Sequence, residues 1–171
     1  MRQRLLPCTA GERHAPPAGT AIRPLPHALV GFMIAGPKSR QLLQKLTRED
    51  VSNSGFKFFA VREMTVGLAP AIVARASYTG DLGYEIWVTP DYQLTLYEAL
   101  TAAGVDLGLR HFGNRALMSM RLEKAYGAFL REFRTDYSPA ESGLDRFVAY
   151  DKGDFVGRAA ALEDRATAPK R

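Results

Sequence analysis

Apolar residues along the chain follow two spacings, one typical of strands and one typical of helices. Runs rich in β-branched and aromatic residues, bounded by turn-forming residues, predict strands. The predicted strands span residues 27–34, 58–66, 69–78 and 84–88. Gly67 joins the second run to the third, and a glycine-containing turn over 79–83 joins the third to the fourth.

Apolar residues at helical spacing predict three helices between and after these strands. The first is expected to open at Gly36-Pro37, with Pro37 at the first helical position, where its missing N–H costs nothing. Its apolar stripe comprises Leu42, Leu43 and Leu46. The second is expected to open at Thr89-Pro90 and to stop at Gly104. Its predicted buried face comprises Tyr92, Leu96, Leu100 and Ala103.

The third helix is predicted over residues 113–126. Strands with intervening helices but hairpin-length connections predict an α+β fold, with a largely antiparallel sheet and flanking helices. The 171 residues suit one ordinary domain. Residues 27–158 are expected to form it, after a disordered or unrelated leader over 1–26 and before a tail over 159–171. The tail begins a helix and then stops, so we expect a domain truncated at both ends.

The net charge of +5 comes from the ends of the chain. Residues 27–157 carry 15 Lys and Arg against 15 Asp and Glu, whereas residues 1–26 carry four Arg against one Glu. A neutral body with basic ends is weak evidence for a phosphate-binding face, so no nucleic-acid partner is predicted.

Other residue types exclude further classes of protein. The single Cys8 excludes an internal disulfide and a thiolate zinc cluster, and His14, His27 and His111 lack metal-ligand spacing. No metal is therefore predicted. No apolar run reaches the roughly 18–20 residues that span a bilayer, and the basic start lacks a signal-peptide core. A soluble, cytoplasmic protein without a membrane partner is expected.

The segment 78–88 carries the candidate chemistry. Because strand side chains alternate between faces, Glu85 and Trp87 are expected on one face of the fourth strand. With Gly80 and Gly83 permitting a tight return, Tyr78 and Glu85 are expected to project from adjacent strands toward one site. A carboxylate there accepts two hydrogen bonds from a flat heterocycle whose edge presents an amine beside a ring N–H, such as a pterin. The alternative is an exposed Glu85 and a half-buried Tyr78.

Residues 77–86, Ser-Tyr-Thr-Gly-Asp-Leu-Gly-Tyr-Glu-Ile, resemble the signature of the glycine-cleavage T-protein (aminomethyltransferase) family. Residues 35–43 and 113–124 resemble the family's strand-to-helix segment and its arginine-bearing helix. Residues 138–148 and 151–158 are most similar to its flavin-linked branch, the dimethylglycine and sarcosine dehydrogenases. Together the resemblance covers about residues 28–160.

This resemblance implies a T-protein-like folate-binding domain that binds tetrahydrofolate for transfer of an aminomethyl or methylene group. It implies that Tyr78 and Glu85 hold tetrahydrofolate, with Glu85 on the pterin, and that Arg115 lines the same site. Arg121, two helical turns further on, is the alternative to Arg115, and a surface or packing arginine is the other interpretation. Core packing is favoured over a ligand stack for Trp87.

The resemblance also shows what the sequence lacks. The family's catalytic aspartate lies upstream of anything matched here, so the catalytic residue is unknown. The cluster Asp145, Asp151 and Asp154 is interpreted as solvated surface charge. No Gly-x-Gly-x-x-Gly unit supports FAD, so a separate flavoprotein chain is the expected partner. Alternatives are a non-catalytic folate-binding module, the tRNA-modification or iron–sulfur-repair branch of the fold, and a fragment without independent activity.

Overall fold

The computed structural model describes residues 19, 27–134 and 136–167. These residues form four strands, β1 (Val30–Ala35), β2 (Val61–Val66), β3 (Ala69–Ala74) and β4 (Gly83–Val88). They also form four α-helices, α1 (Ser39–Leu46), α2 (Gln93–Gly104), α3 (Asn114–Glu123) and α4 (Arg158–Thr167). Two short 3-10 turns span Pro90–Tyr92 and Asp145–Phe147. Strands together with helices in this order confirm the predicted α+β class.

The described residues divide into two compact units. The first unit holds the residues up to Ser77 together with Leu82–Leu109, and so contains the whole sheet, α1 and α2. The second unit holds Tyr78–Asp81 and the residues from Arg110 onward, with α3 and α4.

The sheet of the first unit has the order β1-β4-β3-β2, and every neighbouring pair is antiparallel. In the pairing of β1 with β4, Gly31 lies opposite Trp87 and Met33 lies opposite Glu85. In the pairing of β3 with β4, Ile72 lies opposite Trp87 and Ala74 lies opposite Glu85. The antiparallel sheet predicted from hairpin-length connections is therefore confirmed.

One face of this sheet forms the core of the first unit. Its strand residues are joined there by leucines of both helices and by Phe56 and Val51 of the connecting loop. Tyr84 and Phe56 are both fully buried, and their rings stack with centroids 5.9 Å apart. The fully buried or nearly buried strand members are Ile34, Met64, Val66, Ala69, Ala71, Val73, Tyr84, Ile86 and Val88. Burial of this alternate set shows that periodicity assigned the faces of β4 correctly.

The strands are shorter than predicted at three ends. β1 begins at Val30, β2 begins at Val61, and β3 ends at Ala74. Before β2, Phe59 has a positive φ of 60°, a conformation that an extended strand excludes. After β3, the chain leaves the sheet before Tyr78, so the prediction that Tyr78 continues this strand is wrong.

The helices also differ from prediction at their ends. Pro37 lies in a turn before α1, since Ser39 N–H donates to Gly36 O and the helix begins only at Ser39. Leu42 and Leu43 are buried as predicted. Pro90 opens a 3-10 turn rather than α2, which leaves Tyr92 exposed instead of buried.

At the other helix ends, α3 stops at Glu123, three residues before the predicted end, because Ala125 takes a positive φ of 55°. The predicted tail contains most of α4. The predicted leader, residues 1–26, lies outside the described residues apart from Gly19.

Candidate functional site

The face of the sheet opposite the core carries Glu85 and Trp87. We call it the outer face, and its central residues are Gly31, Met33, Ile72, Ala74, Glu85 and Trp87. Glu85 is partly buried and lies between two apolar neighbours, Met33 on β1 and Ala74 on β3. The Glu85 carboxylate of the first unit is therefore flanked by an apolar residue on each neighbouring strand.

Trp87 lies two residues along β4 from Glu85 on this outer face. It pairs across the sheet with Gly31, and a Cβ atom added there would lie 2.9 Å from indole Cδ1 and Nε1. The indole therefore packs against the bare β1 backbone, which only a glycine permits. Trp87 is partly exposed and lies on the face away from the core cluster. The prediction that Trp87 packs in the core is therefore wrong.

Tyr78 belongs to the second unit, in the turn that follows Ser77. Its hydroxyl donates to the carbonyl oxygen of Gly127 at 2.8 Å. Within the same turn, Gly80 has a φ of +81°, and a Cβ there would lie 2.3 Å from Cγ of Lys124. The turn is therefore packed tightly on the residues that follow α3, and Tyr78 is partly buried.

The two arginines of α3 differ sharply in environment. Arg115 lies in the first turn of α3 and is exposed, so it is accessible to a ligand. Arg121 lies in the last turn with only 2% of its side chain exposed. Its Nη1 atom donates to Glu132 Oε2 at 2.6 Å and to Tyr126 O at 2.9 Å. Sequence reasoning missed this pair, because Glu132 lies eleven positions after Arg121 and beyond the end of α3, where no helical period links the two residues.

The Arg121 guanidinium, together with the backbone N–H of Ala128, lowers the pKa of Glu132 from 4.5 to about 2. Since the folded-state pKa lies below the unfolded value, the pair stabilises the fold fully above about pH 4.5. That contribution declines as the pH falls through about 2.

The aspartates of 145–154 separate into two groups. Asp151 and Asp154 are exposed, in agreement with the surface-charge interpretation. Asp145 instead accepts a hydrogen bond from the Tyr150 hydroxyl and lies 3.5 Å from Nε of Arg165 on α4. The hydrogen bond to Asp145 raises the pKa of Tyr150. Asp145 thus has a local structural role, which surface charge alone did not predict.

The part of the chain that the structure describes contains no helix long and apolar enough to cross a bilayer. Nor do three or more His, Cys, Asp or Glu side chains gather there in an arrangement that suits a metal ion.

Comparison with known proteins shows which family this chain belongs to. Residues 9–152 match the profile of the GCVT N-terminal domain. The chain belongs to this family, which confirms the resemblance drawn from the motifs. The match begins inside the segment predicted to be an unrelated leader.

Three relatives illustrate the range of this family. Human mitochondrial dimethylglycine dehydrogenase is 40% identical over 139 residues, which are 81% of this chain and 16% of that protein. An aminomethyltransferase of Caldanaerobacter subterraneus is 38% identical over 138 residues, 81% of this chain and 37% of the relative. Sarcosine oxidase subunit alpha of Rhizobium meliloti is 36% identical over 140 residues, which are 81% of this chain and 14% of that protein. The chain thus spans well under half the length of each.

Proposed function

We propose that this chain is the tetrahydrofolate-binding portion of a protein that transfers aminomethyl or methylene groups. Its relatives include an aminomethyltransferase and a dimethylglycine dehydrogenase. The observation that carries the proposal is Glu85, a carboxylate set between Met33 and Ala74 on the outer face, with Trp87 two residues away.

The chemistry of this setting suits a pterin. An ionised carboxylate accepts the exocyclic amine and the neighbouring ring N–H together, and such paired, charge-assisted hydrogen bonds are strong and directional. Apolar neighbours reduce the competition from water for those donors. Side chains two residues apart on a strand are separated by about 7 Å, a span comparable with a bicyclic ring. Trp87 then offers an aromatic edge or face to the same heterocycle.

Tyr78 and Arg115 complete the proposal as further tetrahydrofolate contacts. Tyr78 offers its ring, since its hydroxyl proton is used on Gly127. Arg115 is exposed in the first turn of α3 and offers a cation to an anionic part of the cofactor. We leave the catalytic residue unassigned and propose that the chain works in the cytoplasm with a flavoprotein partner. The partner would release the one-carbon unit that tetrahydrofolate accepts.

Titration with 5-formyltetrahydrofolate is expected to change the fluorescence of Trp87, the only tryptophan of the chain, in a saturable way. The reason is that Trp87 shares its face with Glu85 at the proposed pterin position. N-acetyltryptophanamide, titrated in parallel, corrects for light absorbed by the ligand. The proposal fails if calorimetry and corrected fluorescence both show no saturable binding.

Catalysis is tested separately from binding. Without a flavoprotein partner and without an assigned acid, the chain is expected to bind tetrahydrofolate but not to accelerate its condensation with formaldehyde. Acceleration by the isolated chain would show that the chain contains the catalytic group after all.

A further inference from the structure

The segment that follows α3 is held by side chains at consecutive peptide groups. Arg121 Nη1 donates to the carbonyl oxygen of Tyr126 at 2.9 Å. Glu132 Oε2 accepts from the backbone N–H of Ala128 at 2.8 Å and from Arg121 at 2.6 Å. The carboxylate therefore joins a buried arginine to a backbone N–H, and Gly127 lies between the two fixed peptide groups.

The peptide group between Gly127 and Ala128 is hydrogen-bonded by two side chains. Its N–H, from Ala128, donates to Glu132, whereas its carbonyl oxygen, from Gly127, accepts from the Tyr78 hydroxyl at 2.8 Å. A peptide group is planar, so fixing the direction of its N–H fixes the direction of its C=O. By orienting the N–H of Ala128, Glu132 therefore also orients the Gly127 carbonyl oxygen that accepts from Tyr78.

Gly127 allows little adjustment of this arrangement. A Cβ atom added at Gly127 would lie 2.3 Å from Cζ of Phe133, and Phe133 N–H in turn donates to Ala128 O at 3.1 Å. The peptide is therefore confined by a ring on one side and by hydrogen bonds on the other. Rotation of this peptide would move the acceptor away from the Tyr78 hydroxyl.

The burial of Arg121 also favours a role beyond stability. A buried guanidinium loses its hydration, and an ion pair regains that free energy only when its remaining donors are also satisfied. Nε of Arg121 is buried without a hydrogen-bond partner among the described residues, which lowers the contribution of the pair to stability. The hydrogen bond from Arg121 does hold the Glu132 carboxylate in one position.

We propose that Arg121 is a positioning residue for the folate site: through Glu132 it orients the Gly127–Ala128 peptide, which sets the Tyr78 hydroxyl and ring. This inference rests on the proposed function, because it takes Tyr78 as a tetrahydrofolate contact. Arg121 itself, with 2% of its side chain exposed, does not touch the ligand.

The test is a double-mutant cycle on the dissociation constant for 5-formyltetrahydrofolate, measured by calorimetry. Arg121→Met and Tyr78→Phe are each expected to raise that constant about fivefold. Since both act on the same peptide, the double variant is expected to match Tyr78→Phe within about twofold rather than reach the product. Arg134→Met, which removes an exposed pair with Asp136 in the same unit, is the matched control with unchanged affinity.

Glu132 gives a second cycle from the more exposed end of the pair, in case Arg121→Met does not fold. Glu132→Ala is expected to weaken binding about as much as Arg121→Met, and again without adding to Tyr78→Phe. Glu132→Gln, which keeps an oxygen for Ala128 and Arg121, is expected to restore affinity to within about twofold of the unsubstituted chain.

The outcomes separate the two claims. If the unsubstituted chain binds and the effects of either cycle multiply, Arg121 acts independently of Tyr78 and the inference is overturned while the proposed function stands. If Arg121→Met and Glu132→Ala fold with unchanged affinity, the inference is likewise overturned. Absence of binding by the unsubstituted chain overturns both claims.

Discussion

Replacing Tyr84 by alanine is expected to destabilise the first unit by about 3–5 kcal/mol, the usual cost of deleting a buried aromatic ring. Tyr84 is fully buried, stacks on Phe56 and accepts a hydrogen bond from Arg40 Nε at 3.3 Å. A domain of this size is stable by only about 5–15 kcal/mol, so the loss is large. Urea denaturation followed by Trp87 fluorescence reports on this unit, which contains Trp87.

Two controls separate the ring from its hydroxyl and from hydrophobicity in general. Tyr84→Phe keeps the ring and loses one hydrogen bond, so a cost of only about 1 kcal/mol is expected. Phe58→Ala removes a ring that is 66% exposed and is expected to change stability by less than about 1 kcal/mol. Equal losses for Tyr84→Ala and Phe58→Ala would contradict the assignment of the core face.

The second large effect is expected on binding. Glu85→Ala is expected to raise the dissociation constant for 5-formyltetrahydrofolate about tenfold to a hundredfold, because hydrogen bonds to a charged group contribute about 1.5–3 kcal/mol. Unfolding stability is expected to change little, since Glu85 is outside the core cluster. Calorimetry gives the affinity, and urea denaturation gives the stability of the same preparation.

Glu63→Ala is the matched control for this substitution. Glu63 lies opposite Ile72, which in turn lies opposite Trp87, so it projects from the same face as Glu85 but on the edge strand β2. It is exposed, and its removal is expected to leave the affinity unchanged within about twofold. If both substitutions weaken binding alike, a general effect of negative charge replaces the specific role of Glu85.

The sheet was predictable because its evidence is local. Alternation along β4 is a property of neighbouring residues, and it placed Glu85 and Trp87 on one face, which the register with β1 and β3 confirms. The antiparallel order followed from short connections such as the one at Gly67. Helix stripes were recognisable for the same reason, since Leu42 and Leu46 on α1, and Leu96 and Leu100 on α2, lie four residues apart.

The departures have non-local or conformational causes. Phe59 adopts a left-handed conformation that its aromatic side chain gives no reason to expect, and this delays the start of β2. Tyr78 continues the alternation of β3, yet its hydroxyl bonds to Gly127, 49 residues later. Hydrogen bonds between residues so far apart leave no periodic trace in the sequence.

The candidate site residues stay predictions, whereas the contacts that support them come from the structure. Strand alternation pointed to Tyr78 and Glu85, and the family resemblance implied their roles and that of Arg115. The pair formed by Arg121 and Glu132 became visible only in the folded structure. Trp87 shows the same limit. Its face followed from alternation, but its contact with the bare backbone at Gly31 depends on cross-strand register.

The central claim is that Glu85 recognises the amine edge of a pterin, and a comparison of two ligands tests it most directly. Affinities for tetrahydrofolate and for an analogue with hydrogen in place of the 2-amino group are measured on the unsubstituted chain and on Glu85→Ala. The unsubstituted chain is expected to prefer tetrahydrofolate about tenfold or more, and Glu85→Ala is expected to bind the two ligands equally. A preference that survives in Glu85→Ala would contradict the claim, because some other group would then be recognising the amine.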